Sequence, residues 1–499
     1  MNRSCFFILV FSPVITFGQT NQPYTKQIQE FNRYVEEARK EWLVPGLAVA
    51  VVKDNQVIFK KGYGYTGLGT RNPVDPQTLF PCASTTKAMT AVCMGMLIDE
   101  GKVKWNDPVV NYLPDFQLYD PFVTREVKIR DLFIHDSGLG DADFLWTSMN
   151  IPSEEIIRKM SLVKPSYSIR SSFVYQNLFY LVAGKVIEKV SGLSWEMFIR
   201  RRIFVPLSMT RSYPLRSEVN DPNQAKPCMK VDGTMMMIDH SNADAIGPAG
   251  SVWSCIDDVS KWALCMLDSS KYPGGKLLKT ATWKEMFRPQ TIVPPSEFYP
   301  TMQLIKPNWT TYGLGWFQHD YKGKKVNLHT GSLSGSVAIH AQMPEANIAM
   351  VMFANYDHSE VRHALVYKTF DLFALGGNRD WSSEFLKLYG RIQESNEQKI
   401  KDFEAHRIPN TTPSLLLQDY AGKYTDPLYG ELEITVSEKN LMVSLNHVVK
   451  ATLAHWNFDT FYGEYEKNWN GKVKAVFHIN ALGEVEKINF DGRDFTKTH

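Results

Sequence analysis

Apolar residues fall in three successive blocks along this chain, and their spacing predicts strands, then helices, then strands again. Between Pro45 and Gly64, PGLAVAVVKDNQVIFKKGYG holds two β-rich apolar runs around a polar KDNQ break, which predicts a hairpin opening a sheet. From about residue 84 to 290, segments such as NLFYLVAGKVIEKVSGLSWEMFIRRRIFVPL carry helical apolar periodicity punctuated by Gly and Pro. Strand signals rich in β-branched residues return at TYGLGWFQ, KKVNLHTG, GSVAIHAQMP and NIAMVMFANY, the last two joined through PEA. Strands, then helices, then strands predict an α/β domain, with a mixed, mostly antiparallel sheet flanked by helices and a helical insertion.

After LFALGGNRDW the text changes twice. A charged helical stretch, SEFLKLYGRIQESNEQKIKDFEAH, runs into RIPNTTPS, which reads as a linker. From about Leu415 short alternating runs broken by turn residues predict a small antiparallel β domain. The expected partition is a main domain over 27–375, a helical linker over 376–412 and the β domain over 413–499. The aromatics of that last domain, including Tyr424, Tyr429, Trp456, Tyr462 and Trp469, are expected in its core. A chain of 499 residues with 44% hydrophobic content is long enough for more than one core, in keeping with this division.

Charge excludes some functions. Lys+Arg 55 against Asp+Glu 53 gives a formal net charge of +2, so no long-range field points to nucleic acid or an anionic membrane as partner. The first residues, MNRSCFFILVFSPVITFGQT, combine a basic start, an apolar run and a small Gly18, the pattern of a cleaved signal over 1–18. The apolar run is shorter than the roughly 20 residues a membrane span needs, so a periplasmic or secreted protein is expected, with Cys5 too early for lipid attachment. Past the signal, Cys82, Cys93, Cys228, Cys255 and Cys265 form an odd set without C-x-x-C, and H-E-x-x-H is absent. They read as single buried thiols, with one disulfide among them as the alternative, and neither a metal nor a cofactor is expected.

The chemistry sits in three short stretches. In LFPCASTTKAMTAVCMGMLIDEG, Ser84 and Lys87 stand three apart where an irregular segment becomes an apolar helix. Ser-x-x-Lys occurs about twice by chance in a chain of this length. Its second instance, Ser161 to Lys164, is followed by Pro165, which biases Lys164 away from helical geometry. At a helix start, three residues bring the Lys87 side chain onto the face of Ser84. Desolvation and the positive end of the helix dipole both disfavour the charged form of an amine whose ordinary pKa is about 10.4, which turns Lys87 into a base. The plain alternative is an N-capping serine beside a solvated lysine. FVYQNLFY adds Tyr175 and Asn177, two apart before a long helix, and NLHTGSLSG adds His329, Thr330, Gly331 and Ser332 at the end of a strand whose small residues let a substrate backbone lie along the edge.

In this order and at these separations, the stretches resemble the Ser-x-x-Lys, Tyr-x-Asn and Lys-Thr-Gly motifs of the serine β-lactamase and penicillin-binding-protein superfamily. The resemblance spans about Gln27 to Leu375. It is closest to the branch of related esterases, D-aminopeptidases and carboxypeptidases, in which His-x-Gly replaces Lys-Thr-Gly. The tail over 413–499 resembles the lipocalin-like domain often appended to that branch, and VKIRDLFIHDSGL around His135 resembles a recurring segment that reads as scaffold.

The resemblance implies that Ser84 attacks a substrate carbonyl to form an acyl-enzyme, with Lys87 and Tyr175 sharing the proton work and Asn177 bonding Lys87 and the substrate amide. The oxyanion hole would be formed by the backbone N–H groups of Ser84 and Ser332. His329 in place of lysine offers only fractional charge near neutral pH, which makes an ester or peptide substrate a better expectation than a β-lactam. A deacylating glutamate like that of the class A enzymes is not assignable. Two other readings compete: penicillin binding or β-lactamase activity, and a non-catalytic receptor that captures a ligand. Retention of Ser84, Lys87 and Tyr175 weighs against the receptor, and the absence of G-x-S-x-G excludes an α/β-hydrolase.

Overall fold

The structure is a computed structural model that describes residues 23–498; the signal expected at 1–18 lies outside the described residues. Eight antiparallel strands form the central sheet: β1 (Gly46–Lys53), β2 (Gln56–Gly64), β3 (Thr291–Ile292), β4 (Thr310–Tyr312), β5 (Phe317–Tyr321), β6 (Lys324–Leu333), β7 (Ser336–Met343) and β8 (Ile348–Ala354). Their order is β2-β1-β8-β7-β6-β5-β4-β3, so the amino-terminal hairpin docks on the carboxy-terminal strand through Leu47 opposite Ala354. Asp54 and Asn55, both at positive φ, make the tight turn read from KDNQ.

β1 shows why these strands hold no polar alternation. Leu47, Val49 and Val51 enter one core with Phe31 and Leu365, while Ala48, Ala50 and Val52 enter the other with Met89 and Trp262. A strand covered on both faces reads as a continuous apolar run. The second core lies between the sheet and the insertion, and through it runs the helix Thr86–Asp99, buried from Thr86 to Leu97. A helix apolar all round belongs inside a large domain. The insertion also contains a hairpin, Cys228–Val231 with Thr234–Met237, which the reading of this interval as helical passes over; its Asp232-Gly233 turn, with both residues at positive φ, is the signal that marks it.

Residues 376–412 are mostly one helix, Trp381–Ala405. Beyond it eight strands from Gly422 to Lys497 close into an antiparallel barrel, consistent with a lipocalin-like domain. Eight strands leave an interior that side chains fill, and Tyr424, Leu432, Phe461, Phe477 and Ile488 fill it. The expectation that all five aromatics lie in this core holds only for Tyr424. Tyr429 lies between the barrel and the main domain's core, Trp469 is half-buried beside Lys467, and Trp456 and Tyr462 pack outside the barrel against Phe403 of the helix, with ring centroids 5.7 and 5.3 Å away. Their strands alternate, and these positions fall on the outer face, where the helix dries them.

The described cysteines Cys82, Cys93, Cys228, Cys255 and Cys265 are buried and unpaired, as single thiols. Among the described residues no helix is long and apolar enough to cross a membrane, and no cluster of His, Cys, Asp and Glu is arranged to hold a metal ion.

Candidate active site

Ser84 sits in a single 3-10 turn, Ala83–Thr85, that leads directly into the buried helix. Ala83 adopts φ +47°, a left-handed conformation costly for a residue with a Cβ, which bends the chain immediately before the serine. Strand β6 presses on this turn. A Cβ at Gly331 would lie 2.3 Å from the Cys82 carbonyl oxygen and 3.0 Å from the Ser84 nitrogen, so only glycine lets the strand edge come so close.

Lys87 Nζ lies 2.9 Å from Ser84 Oγ, 2.6 Å from Asn177 Oδ1 and 2.9 Å from the Ala249 carbonyl. Burial lowers its pKa to about 7, against the opposing pull of the Asp143 carboxylate. Two of the three partners are acceptors only. A neutral amine therefore spends its two N–H bonds on Asn177 and Ala249 and turns its lone pair toward the serine hydroxyl. Tyr175 is half-buried and interacts with the Ser84 hydroxyl, while burial raises its pKa well above the ordinary tyrosine value and keeps it a phenol. His135 lies against it with ring centroids 4.4 Å apart and the planes tilted by 33°, and accepts the Gln176 N–H at Nδ1.

The strand-end residues divide in role. His329 is 1% exposed. Its Nδ1, 2.6 Å from the Thr330 carbonyl, must carry the proton, so Nε2 accepts from Tyr312 Oη at 2.8 Å. Burial and the neighbouring Lys87 push its pKa down to about 3, which corrects the expectation of fractional charge near neutral pH: this histidine is neutral. Thr330 Oγ1 bonds Tyr299 Oη at 2.9 Å, and Ser332 is exposed at the cleft. Ser84, Tyr175, Asn177, His329, Thr330 and Ser332 line one cavity of about 340 Å³, with Gly331 against the serine turn and Lys87 behind it. The second Ser-x-x-Lys pair is not assembled: Ser161 Oγ donates to the Arg158 carbonyl and Lys164 is exposed.

Some contributors carry no motif. Asp143 takes both Asn177 Nδ2 contacts, at 3.0 and 2.9 Å, and the Trp146 indole N–H at 3.0 Å. The Ala249 carbonyl holds Lys87, and Glu297 lies exposed on the cavity wall. Beneath the strand end, buried Arg362 donates to the Gly331 carbonyl at 2.8 Å and to Ser332 Oγ at 3.0 Å while paired with Glu360 at 2.8 Å.

Comparison with known proteins places the chain in a family. The chain matches the Beta-lactamase family over residues 31–370 and a domain of unknown function, DUF3471, over 406–498. It is 28% identical over 443 residues to the unguisins hydrolase ungD of Aspergillus violaceofuscus, covering 82% of this chain and 76% of that one. It is also 22% identical over 338 residues to protein flp of Staphylococcus aureus, covering 67% and 64%. Among solved structures, the octameric penicillin-binding protein homologue from Pyrococcus abyssi shares the fold with a TM-score of 0.62 at 22% identity, over 94% of this chain and all of that one. SurE shares it with a TM-score of 0.57 at 19% identity, over 95% and 99%. A match across two thirds of the chain, on a fold shared with penicillin-binding-protein homologues, makes this chain a serine hydrolase belonging to the β-lactamase family.

Proposed function

We propose that the protein is an exported hydrolase that cleaves ester or amide bonds through an acyl-enzyme on Ser84. The observation that carries this is the buried Lys87 amine, 2.9 Å from Ser84 Oγ, with both N–H groups engaged by acceptors. Lys87 takes the Ser84 proton as Oγ bonds the substrate carbonyl carbon. The oxyanion is received by the backbone N–H groups of Ser84 and Ser332. As the carbon–oxygen or carbon–nitrogen bond breaks, the proton held on Lys87 passes through the Tyr175 phenol to the departing alkoxide or amine. Water then gives a proton to Lys87 and attacks the acyl carbon, and the same proton returns to Ser84 Oγ as the acid leaves. Asn177 holds Lys87 in place and, through Asp143, is itself held.

A neutral His329 presents no cation to a substrate carboxylate, which supports esters and amides over β-lactams. The test is intact-mass analysis with a fluorophosphonate and with a penicillin, alongside turnover of p-nitrophenyl esters and D-amino-acid anilides. One phosphonyl adduct on wild type and none on Ser84→Ala is expected, with turnover lost in the variant. An unlabelled, folded wild-type protein would overturn the reading in favour of a ligand-capturing receptor.

A further inference from the structure

The barrel touches the main domain at Phe144, the residue that follows Asp143. Its first turn, between strands Gly422–Asp426 and Gly430–Ser437, is stiff: Asp426 Oδ1 accepts the N–H groups of Leu428 and Tyr429 at 2.8 and 2.9 Å, and Asn446 Nδ2 holds the Tyr429 carbonyl at 2.9 Å. At Gly430, φ is +90° and a Cβ would stand 2.1 Å from Asn446 Oδ1. The turn is gripped from the other side. Lys159, 8% exposed, donates to the Pro427 and Leu428 carbonyls at 2.5 and 3.3 Å.

The Tyr429 ring sits on Phe144 with centroids 4.6 Å apart, and the Arg493 guanidinium lies 5.4 Å from the Phe144 ring. Phe144 follows Asp143 directly and opens the short helix Phe144–Thr147. Asp143 in turn holds Asn177, and Asn177 holds Lys87. A continuous path of contacts thus runs from the barrel to the base. Other groups around Lys87 are uncharged: His135 and His329 are buried and neutral, and the rings of Tyr175 and Tyr180 lie 5.0 and 5.3 Å from Nζ. Among the described residues, Asp143 is the charged group that acts on Lys87.

We infer that the barrel turn Pro427–Gly430 is a positioning element of the active site, with Tyr429 bracing Phe144 and so fixing the Asp143–Asn177–Lys87 chain. The inference rests on the reading of Lys87 as the base for Ser84. Tyr429 touches neither substrate nor reacting atoms; it acts through the wall it supports. Withdrawing the brace lets Asp143 move from Asn177, which loosens Lys87 and removes the carboxylate that favours its protonated form.

The experiment compares full-length Tyr429→Ala, Tyr429→Phe and Lys159→Met by p-nitrophenyl butyrate kinetics, the pH profile of kcat/KM, the rate of fluorophosphonate labelling and thermal melting. For Tyr429→Ala, kcat and the labelling rate are expected to fall about tenfold or more with KM within about twofold, since small misplacements of catalytic groups are costly. The acid limb should move to lower pH, and Tyr429→Phe, which keeps the ring, should restore wild-type behaviour. In an Asp143→Asn background, Tyr429→Ala should add little, because the two lie on one path. A folded Tyr429→Ala with wild-type kcat and acid limb, or with only a lower melting temperature, would overturn the inference. If that variant does not fold, Lys159→Met decides by the same readings, because it keeps the ring and removes only the grip on the turn. A folded wild-type protein that neither labels nor turns over would overturn the Ser84–Lys87 reading and this inference together. Labelling of wild type with an unaffected variant would overturn this inference alone.

Discussion

The chemistry of single residues here is set by what surrounds them, and Lys87 and His329 show it from opposite sides. Both are buried, and burial lowers both pKa values, to about 7 for Lys87 and to about 3 for His329. With Lys87 as the proposed base for Ser84, kcat/KM should climb from acid pH and level off above about 7, as the amine loses its proton. Asp143 opposes the loss, so Asp143→Asn should carry the acid limb downward by roughly half to one pH unit, measurable with any turned-over ester. Stability follows the same linkage. The folded value of Lys87 lies below the unfolded one, so the native state binds fewer protons between about pH 7 and 10, and stability contributed by this group rises with pH across that window. The motifs named Ser84, Lys87, Tyr175, Asn177 and His329 to Ser332 in advance, and these residues meet in one cleft. The charge of His329 was not readable, because neutrality comes from Tyr312 and the Thr330 carbonyl closing around it. Asp143, Glu297 and the Ala249 carbonyl were equally hidden: two are lone carboxylates and one is backbone, delivered by distant parts of the chain.

Among the elements, β6 is held at the mouth of the site by a buried ion pair. Arg362 spans the Gly331 carbonyl, Ser332 Oγ and the Ala338 carbonyl, at 2.8, 3.0 and 3.4 Å, and Glu360 neutralises it. Removing the cation leaves Glu360 buried without its partner. Arg362→Met is therefore expected to destabilise the fold by about 3–5 kcal/mol in denaturant titrations and to lower kcat as the strand edge relaxes. The strands of the sheet were legible because their apolar runs are long and bounded by turn residues, as in GLAVAVVK before Asp54-Asn55. The hairpin at Cys228–Met237 was not, since four-residue strands rich in methionine resemble a helical stretch unless the Asp-Gly turn is weighted. The outward placing of Trp456 and Tyr462 was hidden too, because only the packed helix reveals which face of their strands is dry.

For the whole molecule, a formal charge of +2 leaves little field at long range, and selectivity falls to the cleft. The charged side chains on its wall are Asp143 and Glu297, both acidic, while nearby Arg362 is committed to Glu360. Among p-nitrophenyl esters matched in size, cationic acyl groups should exceed anionic ones about five- to tenfold in kcat/KM, with the preference shrinking in added salt and in Glu297→Gln. Two domains were foreseen from the change of pattern near Leu415; their contact through Tyr429 was not, since nothing in the turn's own text says what it touches. The buried cysteines give that contact a practical handle. All five described thiols are enclosed, and burial pushes their pKa values up, so none is a ready nucleophile toward a maleimide. In a protein made without residues 1–18, and so without Cys5, one cysteine placed at exposed Leu482 of the barrel, with a dye attached, would then be a single optical reporter, able to follow in real time whether the barrel shifts as substrate is added.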